Sequence, residues 1–134
     1  MKSELERLSR SLMKVHKLVL EHARLEAEQA LGHQIAPLEF FNLLTQDERF
    51  AWLKPISSVL AEIDETIDES VKNGTAITSK ELDHFRERVE FILINPISPV
   101  AAKYLGFLAS DADLVMAHAD LRTQFDSKKS GPLH

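Results

Sequence analysis

The sequence predicts an all-α protein, an antiparallel bundle of four to five helices, three of them long. Three observations carry this. Apolar residues recur every three or four positions along most of the chain; boxes of the form Thr-x-x-Glu and Asn-Gly or lone Gly separate the periodic runs; and no stretch alternates apolar and polar residues with a period of two between turn signals. Four glycines and five prolines in 134 residues, with 44% hydrophobic and 28% charged residues, describe an ordered globular chain. The length suits a single domain, expected over residues 1–126, with a flexible tail at 127–134 where SKKSGPLH reads as loose.

The first helix is expected over residues 3–31, because Leu5, Leu8, Leu12, Val15, Leu18, Val19 and Leu25 share one face. It would span roughly 40 Å and stop at Gly32. Pro37 suits the first turn of a short helix ending by about Leu44, since a proline lacks only an N–H that would be unsatisfied there. Thr45-Gln46-Asp47-Glu48 has the form of a capping box that starts the next helix. Leu53, Ile56, Leu60, Ile63 and Ile67 then repeat with 3-4-3-4 spacing as far as Lys72, with Asn73-Gly74 as the stop. Pro55 lies inside this run and either kinks one long helix or opens a second one.

A second capping box, Thr78 to Glu81, starts a helix with the seam Leu82, Phe85, Val89 and Ile92, which NPISP at 95–99 ends. The last segment runs from Pro99 to about Phe125, with Tyr104, Phe107 or Leu108, Leu114, Leu121 and Phe125 near one face and Ser110 as the cap of a break in its middle. Long helices joined by short loops, about two to eight residues, pack as an antiparallel bundle with crossing angles of roughly +20°.

Several functions are excluded or disfavoured by composition. Without cysteine the chain has no disulfide, thiolate metal site or thiol nucleophile, and it fits a reducing compartment, so a cytoplasmic location is expected. A net charge of -5 argues against nucleic acid as a partner. The N-terminal MKSELERLSRSLMKV has scattered charges and no apolar core, so neither secretion nor a membrane anchor is expected. There is no Gly-x-Ser-x-Gly elbow and no Gly-rich phosphate loop, and the sequence carries no enzyme signature.

Three constellations remain. The first is charge. Arg7, Arg10, Lys14 and Lys17 line one side of the first helix, while Glu62, Asp64, Glu65, Asp68 and Glu69 put five acids into eight residues of the central helix. Opposed stripes of this kind lock neighbouring helices within a chain or set the register of a homodimer. Glu4, Glu6, Glu21, Glu26 and Glu28 on the same helix as the basic stripe speak against a membrane surface as its partner.

The second is the aromatic corner, Phe40, Phe41, Phe50 and Trp52, which reads as a hydrophobic plug at one end of the core or as the wall of a ligand pocket. The third is the pair His22 and His118, inward on their helices, with Glu26 one turn beyond His22: imidazole and carboxylate together suit a divalent metal such as Zn, Fe or Mn. The motif count is against a di-iron bundle site. Such a site needs two Glu-x-x-His motifs, and only Glu81 to His84 has that spacing. Local pairing of His22 with Glu26, and a half-buried structural role for His118, are the simpler expectation.

By elimination the sequence points to a non-enzymatic helical interaction module that self-associates as a homodimer and needs no cofactor. The alternative is a bundle that binds a metal or a small ligand.

Overall fold

Six α-helices and one 3-10 helix follow one another in the computed structural model, which describes residues 1–129 and side chains as far as Phe125. The first, α1, runs Lys2–Leu31 and ends at Gly32, whose φ of 78° is left-handed and open to glycine at no steric cost; its N–H bonds the Glu28 carbonyl at 2.9 Å. α2, Pro37–Gln46, opens on its proline. A 3-10 helix, Glu48–Leu53, leads into α3, Lys54–Asn73, which ends at Gly74 with φ 65°. Thr78 and Glu81 form the expected reciprocal capping box at the start of α4, Ser79–Ile94. Ser98 caps α5, Pro99–Leu108, by accepting from the Val100 N–H, and α6 runs Ala112–Lys129.

Two helix starts differ from the sequence pattern, and one left open is decided, each for a local reason. The box expected at Thr45 does not form, because α2 continues two residues past Leu44 and keeps Thr45 helical; its hydroxyl donates back to the carbonyls of Phe41 and Asn42. Asp47 caps the next element instead, accepting from the Arg49 N–H at 2.9 Å. Pro55 opens rather than kinks: it is the second residue of α3, where a proline displaces no hydrogen bond. The last segment is divided at residues 109–111 into α5 and α6, which raises the helix count to six, and the cap is Asp111 rather than Ser110: Asp111 Oδ1 accepts from the Leu114 N–H at 3.1 Å, whereas the Ser110 hydroxyl donates to the Phe107 carbonyl. Finally, α6 is assigned as far as Lys129, and residues 130–134 of the expected tail lie outside the described part.

α1 is the spine of the bundle, with α6 along one side and α3 along the other. Polar contacts give the directions. Arg7 meets Asp120 and His22 meets Asp111, so α6 runs antiparallel to α1; Ser9 meets Asp64 and His16 meets Ser57, so α3 does too. α4 returns along α3, with Arg88 on Glu62, and α5 then turns away from the α4 axis by 70°. The seams close on one core: Leu5, Leu8, Leu12, Val15, Ile56, Ile63, Leu82, Leu93, Tyr104, Leu114 and Leu121 are buried to the last few per cent of their surface. Burying one such leucine or isoleucine contributes about 1.5 to 3 kcal/mol, which is what holds the helices in register. Leu25 is the exception among the seam residues of α1, being exposed, because the core ends at Ala23 and the stripe drifts outward beyond it.

α2 is attached differently. None of its residues is buried: Phe40, Leu43 and Leu44 rest on the flank of the core, while Leu38 and Phe41 are 72% and 60% exposed. Among the described residues, no single helix is long and apolar enough to cross a membrane.

Candidate functional site

The three residues read as metal ligands are kept apart. His22 Nε2 lies 2.7 Å from Asp111 Oδ2, and its ring is stacked on Phe107 with centroids 4.4 Å apart and planes 10° from parallel. His118 Nδ1 is 2.7 Å from the hydroxyl of Tyr104, a fully buried residue. Glu26 accepts from Lys103 Nζ at 3.0 Å rather than from His22. Asp111 and His118 are seven positions apart, roughly 10 Å along the α6 axis, too far for one ion to draw on both histidines at about 2 Å. Among the described residues no three His, Asp or Glu side chains are grouped to hold a metal.

Burial pushes the His118 imidazole down, with the nearby Arg122 cation adding to this, and pushes the Tyr104 phenol far up. Both groups are therefore neutral at pH 7, and their hydrogen bond is a structural one between two uncharged partners.

The aromatic corner also divides. Phe40 meets Phe50 edge to face at 5.8 Å and the two close the end of the core, whereas Phe41 points to solvent. Trp52 leans toward Phe107 at 6.2 Å and forms one wall of a slot of about 150 Å³. Phe50, with Ala23, Ala27 and Ala30 of α1, completes its apolar lining, and Arg49, Lys103 and Glu26 are its charged lining residues. Lys103 Nζ lies 5.2 Å from the Trp52 ring centroid, a cation over an aromatic face. Arg49 is held by Asp47 through three hydrogen bonds, which lower the Asp47 carboxyl and raise the guanidinium. Lys103 and the alanine wall carry no sequence motif. The one available signal was the spacing of Ala23, Ala27 and Ala30, a small-residue continuation of the α1 stripe past its last buried aliphatic. A wider and shallower groove of about 890 Å³ runs beside α2 between Ala36, Leu38, Glu39, Asn42, Leu43 and the Asp47 turn, and none of the four aromatics lines it.

The charge stripes lie on α1 and α3, which are neighbours, yet they do not pair with each other. Arg7 turns to α6, donating to Asp120 at 3.3 Å and to Thr123; Glu62 turns to α4 and takes Arg88. Between the two helices Ser9 donates weakly to Asp64, and Glu6, Arg10, Asp64, Ile67 and Asp68 line a shallow groove of about 390 Å³. Arg10, Lys14 and Lys17 on one helix, and Glu65, Asp68 and Glu69 on the other, are exposed; Lys14 helps to lower the Asp120 carboxyl, and Arg10 and Asp68 line the same groove without an ion pair between them. Met13 lies within the basic row and is 48% exposed.

Comparison with family profiles, with curated proteins and with solved structures finds no match for the chain.

Proposed function

We propose that the protein is a non-enzymatic interaction module that self-associates through the face formed by α1 and α3. The observation that supports this most is the pair of exposed charge rows, Arg10, Lys14 and Lys17 beside Glu65, Asp68 and Glu69, on adjacent antiparallel helices, with Met13 exposed within the basic row. Two chains related by a twofold axis satisfy both rows at once, since each copy offers its basic row to the other's acidic row. A different partner of one charge sign would satisfy only one of them. Exposed ion pairs contribute about 0 to 1 kcal/mol each, so the charges select and orient the partner while the modest apolar area gives a weak, reversible dimer. The reading sets this activity in the cytoplasm, with which a cysteine-free chain is compatible.

Sedimentation velocity at low and high salt tests the reading. Dimer at about 20 mM salt that dissociates toward monomer at about 500 mM supports it, because the Debye length shrinks from about 20 Å to a few ångströms. A single-chain mass at both salt concentrations and at high protein concentration contradicts it.

A further inference from the structure

Separately from self-association, we propose that the slot beside Trp52 is a binding site for a small aromatic carboxylic acid. Its lining combines the aromatic rings of Trp52 and Phe50 with the alanine side chains of α1 around Ala27. A volume of about 150 Å³ is of the size that accepts a single benzene ring. Alanine at positions 27 and 30, past the buried Ala23, leaves this room, since the stripe carries the larger Leu5, Leu8, Leu12, Val15 and Val19 in the core before it.

The charge of the ligand follows from the charged lining. Lys103 stands over the Trp52 ring and is held by a single carboxylate, Glu26, with both side chains close to half exposed. Such a pair is weakly held. A ring seated in the slot directs its carboxylate to Lys103, from which it displaces Glu26; Arg49, also in the lining, stays paired with Asp47. An aromatic cation would have to replace Lys103 over the Trp52 ring. Glu26 is thus a competitor for the site rather than a ligand, the opposite of the metal-binding role its spacing from His22 suggests.

This yields a sign that an ordinary surface notch does not have. Benzoate, titrated into the full chain and followed by protein NMR shifts together with the fluorescence of the only tryptophan, is expected to bind saturably at millimolar concentration. Lys103→Met is expected to weaken it by about tenfold, and Glu26→Gln to strengthen it severalfold, because the competing carboxylate is gone. Ala27→Leu fills the slot and abolishes binding; Ala30→Leu, at a more exposed position of the same wall, is the alternative should Ala27→Leu disturb folding as judged by Tm. Benzyl alcohol, with the ring but no charge, and cyclohexanecarboxylate, with the charge but no flat ring, should each bind more weakly. The proposal is overturned by an absence of saturable shifts in the parent protein, by benzyl alcohol binding as tightly as benzoate, or by Glu26→Gln weakening benzoate as Lys103→Met does.

Discussion

His22 Nε2 sits 2.7 Å from Asp111 Oδ2, and this bond ties the last third of α1 to the start of α6 across 89 positions of sequence. The other oxygen of Asp111 caps α6 through the Leu114 N–H. The hydrogen bond from His22, and after it the one from Leu114, hold the Asp111 carboxyl below the usual carboxylate range.

Asp111→Asn keeps a good cap and removes the carboxylate, whereas Asp111→Ala removes both. We expect Asn to cost about 1 kcal/mol and Ala about 2 to 3 kcal/mol in urea unfolding. The pH dependence has a definite sign. A carboxyl whose folded pKa is depressed stabilises fully above its unfolded value of about 3.9 and loses that contribution as pH falls through the lower folded value. Stability of the parent protein therefore falls more steeply in acid than that of Asp111→Asn, and equal slopes would show that the bond is not made in solution.

His118 and His16 titrate the other way from a charged partner's histidine: burial depresses both. The unfolded chain takes up protons near pH 6.5 while the folded chain resists, so stability declines as pH falls from about 6.5 toward the lowered folded values and is flat again below them. Denaturation at pH 7.5 and pH 5.5 checks this, and His118→Gln should reduce the difference. Tyr104→Phe removes the phenol from His118 and is expected to cost about 1 kcal/mol. Because His22, Glu26 and His118 are each engaged elsewhere, zinc at tenfold excess should leave Tm unchanged; an increase would restore the metal reading.

Ser11 is buried on α1, donating to Asp120 and accepting from Gln124 Nε2 at 2.8 Å, itself a buried group. Ser11→Ala leaves the Gln124 amide short of a partner and should cost about 1 to 3 kcal/mol. Adding Gln124→Leu should recover part of that loss, and a strictly additive double mutant would show that the two residues are not coupled.

The entry into the 3-10 helix discriminates two caps. Asp47→Ala should lower the melting temperature, since it frees the Arg49 N–H, while Thr45→Ala, inside α2, should leave it nearly unchanged. The reverse ranking in thermal unfolding would return the helix start to Thr45.

How much of this could be read beforehand follows from the range of the forces involved. Helical seams such as Leu5-Leu8-Leu12-Val15 and Leu82-Phe85-Val89 are local in sequence, and so are the Gly32 and Gly74 stops and the Thr78 box; all stand in the structure as their spacing predicts. Thr45 and Ser110 were plausible caps one or two positions away from better ones, Asp47 and Asp111, and only the completed helices decide which N–H groups are left over. Long-range partners were not legible. Nothing near His22 in the sequence announces Asp111, nor does anything near Glu26 announce Lys103, because those pairings depend on how the last two helices return along α1. The charge rows are visible as rows, but which members pair and with which helix, Arg7 with Asp120 and Glu62 with Arg88, depends on the rotation of α1 and α3 about their own axes.

The most direct test of self-association is native mass spectrometry of two charge-reversed chains, separately and mixed. One carries Arg10→Glu, Lys14→Glu and Lys17→Glu; the other carries Glu65→Lys, Asp68→Lys and Glu69→Lys. Each chain then has two rows of one sign and repels its own copy, whereas an acidic and a basic chain attract, so the account predicts two monomers that form a heterodimer when mixed in dilute volatile buffer. Homodimers that persist in either variant, or a mixture that stays monomeric while the parent protein dimerises, would contradict it.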